Sequence, residues 1–276
     1  MFYREEKNGV VIYKSTMLRG VRHGFGTRIG GVSTGATSSL NLGYDRGDAE
    51  VTVNENRRRL AAACGVGEEH FVGDSVFVSA KQIHSARIEY VTPSTAGGEF
   101  TCDGFVTDTA GVPIAVKMAD CVPILLYEGG AGVAAAVHAG WRGTASGIAA
   151  VAVERMCRLG AKRSRIMAAI GPSICGNCFV VGEDFEEQFR ALAAASPHSR
   201  VRAGSAEIAG DFITRGEDGR LRCDLQSVNE RMLAAAGVVT VDVAGDDVCT
   251  YEHRDEFYSH RRDGAARGVM AAIIML

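Results

Sequence analysis

Residues 114–138 hold three short apolar runs in succession, Ile114-Ala-Val-Lys-Met, Val122-Pro-Ile-Leu-Leu-Tyr and Gly132-Val-Ala-Ala-Ala-Val-His. Each run is too short for a typical helix and is bounded by Gly, Pro or Asp, the pattern of strands buried on both faces. Lys117 and Asp120 interrupt the stretch, so it cannot supply the roughly 18 uninterrupted apolar residues of a membrane helix. The chain is therefore expected to build a buried sheet and to span no membrane.

Around these runs, periodicity and turn residues predict further strands at 21–27, 75–80, 86–91, 165–170, 238–243 and 268–275. Helices are predicted at 54–63 with Asp48 as N-cap, from a Thr144 cap to Leu159, at 183–195 and at 224–236. Strands adjoining without a helix between them point to an α+β chain with a mixed sheet and helices on both faces. With 276 residues and no repeat, linker or low-complexity segment, one domain over residues 1–276 is expected.

Thirty Lys+Arg against 33 Asp+Glu leave a net charge of -3, which gives no global attraction toward nucleic acid or anionic lipid. Residues 1–9 carry Arg4, Glu5, Glu6 and Lys7 and no apolar h-region, so a cytoplasmic location is expected. The eight cysteines are then read as reduced thiols rather than a disulfide framework.

Several strings could carry chemistry. Gly31-Val-Ser33-Thr-Gly35 has the spacing of a nucleophile elbow, but a poor helix former follows it, so the Gly/Ser/Thr-rich segment 28–43 reads as a flexible substrate loop. Cys175-Gly-Asn-Cys178 is half of a zinc ligand set, a redox pair, or two thiols in a turn; no second pair accompanies it in sequence. His84, Cys121 and His138 each stand at the edge of an apparent strand. Separately they read as packed core residues; together they would offer two imidazoles and a thiolate, the ligand types of a catalytic zinc site with an open position. Such a centre would lower the pKa of a water toward roughly 7 and polarise a substrate oxygen.

In His138-Ala-Gly-Trp-Arg-Gly-Thr144 the glycines and a helix start at Thr144 would suit an anion clamped by Arg142, or simply an ordinary helix cap. Trp141 could pack or stack on a purine or phenol. Tyr258-Ser-His-Arg-Arg-Asp-Gly264 and Arg28 beside Gly30-Gly31 place further cations near glycines, as either a solvated face or an anion site.

These strings, with Thr27-Arg-Ile-Gly-Gly-Val-Ser33, Asn41-Leu-Gly43, Gln82-Ile-His84, Ala119-Asp-Cys-Val-Pro-Ile-Leu125, Ile170-Gly-Pro172 and Phe257-Tyr-Ser-His-Arg-Arg-Asp-Gly264, occur together and in order. From about residue 19 to the C-terminus the chain resembles the YfiH family, also called the laccase-domain or multicopper polyphenol oxidase family. The resemblance implies a three-layer α/β/α sandwich with a mixed sheet, similar to cysteine deamidases of the cytotoxic necrotizing factor type. It implies a metal site on His84, Cys121 and His138 that holds Zn2+, with Cu2+ the alternative. It implies phosphorolysis of adenosine, inosine and methylthioadenosine, with adenosine deamination alongside; the family's older description is copper-dependent phenol oxidation. His260 stands where the family pattern has an aromatic residue, and Asn177 departs from it within the Cys-x-x-Cys turn.

The expected ligands are thus a nucleoside and phosphate, with Asp120 as proton shuttle and Arg142, Arg28 and the helix start at Thr144 as the anion site. A multicopper cluster needs many imidazoles, and the chain has seven His in all. Cys121 with His138 could alternatively act as the nucleophile and base of a deamidase or hydrolase. The five cysteines at 64, 102, 157, 223 and 249 are read as packing residues.

Overall fold

The computed structural model describes residues 1–71, 76–196 and 210–276. In chain order the main elements are β1 (Phe2–Lys7), β2 (Val10–Ser15), β3 (Arg22–Gly26), α1 (Glu50–Ala63), β4 (Ile88–Tyr90), β5 (Gly104–Thr107), β6 (Ile114–Met118), β7 (Val122–Glu128) and β8 (Val133–Ala139). There follow α2 (Trp141–Ala145), α3 (Ile148–Arg158), β9 (Met167–Ile170), β10 (Val180–Val181), α4 (Phe185–Ala195), β11 (Ile213–Arg215), β12 (Leu221–Cys223), α5 (Leu225–Ala235), β13 (Thr240–Val243), α6 (His260–Asp263) and β14 (Met270–Met275).

The three apolar runs are β6, β7 and β8, and the expected mixed sheet is present in the order β13-β9-β7-β8-β5-β4. It is antiparallel at its centre and parallel where β13 joins β9 and β4 joins β5. A second, antiparallel sheet has the order β1-β2-β3-β14-β6, and β10-β12-β11 form a small third one. The β layer between the helices is therefore double. Alternation along each strand explains why: Val133, Ala135 and Val137 of β8 face the core under α3 and α5, while Ala134 and Ala136 face the other sheet. In β14, Ala271, Ile273 and Met275 face α1, while Ala272 and Ile274 meet the mixed sheet. Between the sheets Phe25, Phe105 and Leu125 interlock with Ala134, Ala136 and Ala169, large against small, the condition for close packing without voids.

Local readings differ from the structure in instructive places. The hairpin β1–β2 turns at Asn8 and Gly9, both with positive φ, 53° and 76°; Asn-Gly is the strongest short hairpin signal, and it was present in the sequence. The expected strand at 75–80 is a single bridge between Val78 and Ile114, and Ser75 lies outside the described residues. The helix expected to start from a Thr144 cap starts instead at Trp141 and is broken by Gly147, which adopts a left-handed conformation and caps α3.

Asp48 does not cap α1, whose N-cap is Ala49. Its carboxylate instead accepts hydrogen bonds from Ser33 Oγ (2.7 Å), Thr37 Oγ1 (2.8 Å) and Asn41 Nδ2 (2.8 Å). Segment 28–43 is thereby pinned, with Ser33, Thr37, Leu40, Asn41 and Leu42 buried, so it is an ordered plug rather than a flexible loop. Ser33 also accepts from Asn56 Nδ2 and is followed by no long helix, which removes the nucleophile elbow.

Burial works to raise the Asp48 carboxyl, but the hydrogen bonds from Ser33, Asn41 and Thr37 outweigh it and hold it below its ordinary 3.8. The stabilisation is therefore complete above the unfolded carboxyl's value and is lost as pH falls through the lower folded one. Asp48→Ala should lower stability by about 2–3 kcal/mol, the scale of hydrogen bonds to a charged group. Urea unfolding at pH 7 checks this, and a loss under about 0.5 kcal/mol would show that the carboxylate does not hold the plug.

Candidate metal centre

The apolar runs end at one edge of the two sheets, and the candidate metal-binding side chains sit at those ends. Cys121 lies between β6 and β7, and His138 is the penultimate residue of β8, paired with Pro123 of β7. His84 belongs to the turn before β4. Their ligand atoms all fall within 4.8 Å of one another. Cys121 Sγ is 3.8 Å from His84 Nε2, and the two imidazoles meet edge to face with centroids 5.0 Å apart.

What holds them there is Asp103, which was not singled out from the sequence. Wholly buried, it accepts five hydrogen bonds: from the amides of Ile83 (3.3 Å), His84 (2.9 Å) and Ser85 (2.7 Å), from Ser85 Oγ (2.7 Å) and from His138 Nδ1 (2.9 Å). Three successive amides wrapped on one carboxylate form a nest, which accounts for the left-handed backbone at His84, φ 58°. Because a carboxylate only accepts, His138 Nδ1 must carry a proton, so Nε2 is the ring atom left to face Cys121 and, once its own proton is displaced, a metal. Burial works to raise the Asp103 carboxyl, but the bonds from His138 and Ser85 bring it down to about 2. Burial likewise opposes the Cys121 thiolate, yet His138 and His84 lower it to about 6. Burial also disfavours His138 as a cation, and Cys121 with Asp103 raise it to about 9. A negative sulfur with two imidazoles is a donor set for a divalent metal with room for a fourth ligand.

Gly140 completes the fit. A Cβ at this position would stand 2.8 Å from His84 Cδ2, 3.2 Å from Cys121 Sγ and 3.6 Å from His138 Cε1. Any side chain there would fill the space where the three donors meet.

Two cavities flank the centre and share His84, Ala119 and Cys121. The larger, about 470 Å³, has a mainly apolar wall of Trp141, Ile174, Phe179, Val181 and Leu225, with Arg142, His260 and Arg261 on it. Trp141 packs on Phe185 and carries the Arg142 guanidinium 4.2 Å from its ring centroid. The smaller, about 280 Å³, is lined by Arg46, Lys81, Lys117 and Arg267, with Asp45 as its one acid. Arg267 is 8% exposed, and its Nε and Nη1 have no hydrogen-bond partner.

The other expected site residues fare differently. Asp120 lines the larger cavity, but Oδ1 already accepts from Thr250 Oγ1 (2.7 Å), and Oδ2 from Ser259 Oγ (3.0 Å) and the Arg261 amide (2.7 Å). These bonds hold its left-handed backbone, φ 88°, and make it an anchor for the ligand that follows it. Arg28 is not brought to the centre: it donates to the carbonyls of Ser38 and Arg254 and stacks on Tyr258, and it lines neither cavity. The helix expected to start at Thr144 starts at Trp141 and has five residues, so Thr144 lies inside α2 rather than at its N-terminus. The cationic cavity was missed because its four cations come from separate segments that no local motif unites.

Residues 22–276 match the family model described as multi-copper polyphenol oxidoreductase laccase, and the chain belongs to this family. The chain is 41% identical to a purine nucleoside phosphorylase of Deinococcus radiodurans over 93% of its own length and 89% of that protein. It is 34% identical to adenosine deaminase RL5 of an unknown prokaryotic organism, over 84% and 85% of the two chains. The crystal structure of the Bacillus licheniformis hypothetical protein YfiH superposes with a TM-score of 0.80 at 30% identity, over 98% of this chain and 97% of that one. This likeness agrees with the YfiH family expected from the motifs.

Asp103→Asn keeps the shape but removes the charge that fixes the His138 tautomer. It should weaken Co2+ binding at this centre by about 10–100-fold in a chelator competition; unchanged affinity would count against the nest as its organiser. Gly140→Ala should also lower metal occupancy while leaving the unfolding free energy of the metal-free protein within about 1 kcal/mol of the parent, since the crowding is confined to the donors. Full occupancy in that variant would contradict the space argument.

Proposed function

We propose that this chain is a zinc-dependent purine nucleoside phosphorylase, cleaving adenosine, inosine or methylthioadenosine to the free base and the pentose 1-phosphate, with adenosine deamination as a second reaction of the same centre. The observation that carries the reading is the pair of unlike cavities meeting at His84 and Cys121, one apolar and aromatic, the other cationic. Phosphorolysis brings together these two kinds of reactant, and holding them in register supplies much of its barrier reduction.

In the cationic cavity Lys117 and Arg267 are the anchors for phosphate. Burial, with the neighbouring charges of Arg57 and Arg46, pulls the Lys117 ammonium below its ordinary range, and burial with Arg46 does the same to Arg267. Asp45 offsets Lys117, and Asp120 and Asp263 offset Arg267, only in part, and a bound phosphate would relieve the remainder. In the larger cavity Trp141 and Phe179 offer faces for a purine, and Arg142 and Arg261 offset the negative charge that the leaving base acquires as the bond to C1′ breaks. Asp120 acts as a positioning residue for Cys121 in this scheme. His84, Cys121 and His138 would hold Zn2+, which when bound supplies a Lewis acid to substrate atoms at the junction of the cavities.

The relatives' two names, phosphorylase and deaminase, support a shared nucleoside site. Phenol oxidation by a multicopper cluster finds less support: among the described residues no ligand group gathers more than two imidazoles, and His198 lies outside them. The nucleophile reading uses the same Cys121 and His138, and metal content separates the two, because a nucleophilic thiol would work in metal-free protein.

Incubation of the purified protein with adenosine, with and without phosphate, is the direct test. Adenine and ribose 1-phosphate formed only with phosphate are expected, with some inosine in both conditions; neither product in either condition would end the nucleoside reading. Cys121→Ala should lose both zinc and turnover. Arg267→Met and Lys117→Met should each raise the KM for phosphate about 10-fold or more, the scale of a lost charge-assisted hydrogen bond, with the KM for adenosine within about 2-fold. Equal effects on both substrates would dissociate the cationic cavity from phosphate.

A further inference from the structure

Away from the centre just described, a second set of ligand atoms converges. Cys175, Cys178, Cys249 and Glu252 bring three sulfurs and a carboxylate within 4.8 Å of one another. Cys249, read from the sequence as a packing residue, and Glu252 supply the half of the ligand set that the Cys175-x-x-Cys178 pair lacks locally. Both pairs have two intervening residues, the spacing at which a tight turn presents two side chains to one ion.

The turns are built accordingly. In the first, the amides of Cys178 and Phe179 both donate to the Cys175 carbonyl, at 3.1 and 3.0 Å. In the second, the Cys249 amide donates to Asp246 and its carbonyl accepts from His253. The two are joined by the Cys175 amide donating to Cys249 Sγ at 3.3 Å and by the Cys178 thiol donating to Glu252 Oε1 at 3.2 Å. An amide donor on a buried sulfur favours its anionic form, an arrangement that ordinary packing of a thiol does not require. Tetrahedral Zn–S bonds of 2.3 Å would separate the sulfurs by about 3.8 Å, within the observed spread. All eight cysteines are free thiols in the structure, so no disulfide occupies the cluster.

We propose that Cys175, Cys178, Cys249 and Glu252 form a second metal site, a closed four-ligand zinc site with a structural role. Zinc replaces the thiol protons, including the one Cys178 shares with Glu252, and no redox change is involved. Arg222 of β12 and Arg262 of α6 brace the two loops through their backbone, and each guanidinium is also paired with an aspartate, Asp218 and Asp263. Arg222 donates to the Asn177 carbonyl at 2.9 Å, and Arg262 to the carbonyls of Thr250 and Tyr251 at 2.9 and 2.7 Å. The site ties together two segments that shape the larger cavity. One leads from Cys178 into Phe179 and Val180 on the cavity wall. The other carries Thr250, which holds Asp120 beside Cys121.

The test reads metal and thiols and needs no activity, so it stands apart from the nucleoside proposal. Protein purified without added metal should contain one zinc per chain more in the parent than in Cys178→Ser, and Cys121→Ala should keep the equivalent that Cys178→Ser loses. Should Cys178→Ser fail to fold, the parent itself is informative, because Cys178 is the half-buried, accessible thiol of the set. Peptide mapping after iodoacetamide should find it protected until a chelator is added. Glu252 is exposed, and Glu252→Ala should release this zinc to a chelator about 10-fold faster or more. Equal zinc in the parent and Cys178→Ser would overturn the site, as would labelling of Cys178 at one rate with and without chelator, or a chain mass two hydrogens short from a disulfide within the cluster.

Discussion

The buried carboxylate of Asp103 is the constraint on which the rest of this site depends. It stands at the start of β5, reaches the turn that carries His84 through three amides, and reaches β8 through His138 Nδ1. A buried charge is tolerated only when its acceptor capacity is filled, and here filling it fixes the backbone of one imidazole ligand and the tautomer of the other. Loss of any one donor would disturb both ligands together.

The double β layer explains why such a site can exist in so small a volume. Alanines in β8, β9 and β14 let the sheets approach, and the strands that supply His138 and flank Cys121 are buried on both faces. Ligands on rigid strand ends are held more precisely than ligands on free loops. The same edge separates the two cavities, so a metal held there would face apolar walls on one side and four cations with a single acid on the other. Two cavities of unlike lining thus meet at one position, and that juxtaposition says more about the chemistry proposed for the chain than the fold class does.

Much of the scaffold was legible because its signals are local. Runs of apolar residues between Gly, Pro and Asp became β6, β7 and β8, and Asp224 does cap α5 by accepting from the Ser227 amide. Asp48 looked like a similar cap, but three side-chain donors from the plug compete for it and prevail. His84, Cys121 and His138 were visible as residue types at strand ends and were singled out by family motifs, and their donor atoms do converge. Asp103 was not visible, since one Asp between Cys102 and Gly104 carries no spacing signal and its role exists only after β5 and β8 pair. Arg267, Lys117, Lys81 and Arg46 escaped for the same reason. Arg28, which sits in a conspicuous glycine motif, is committed to local carbonyls and Tyr258.

The central claim is that phosphate binds beside the metal centre, in the cavity where Arg267 lies buried with two unpartnered nitrogens. It is tested most directly by 31P relaxation of inorganic phosphate in protein carrying paramagnetic Co2+ on His84, Cys121 and His138. A large relaxation enhancement over the Zn2+ form is expected, and in Arg267→Met at equal cobalt occupancy it should need about 10-fold more phosphate or more to saturate. No enhancement in the parent, or an enhancement that saturates at the same phosphate concentration after loss of Arg267, would contradict it.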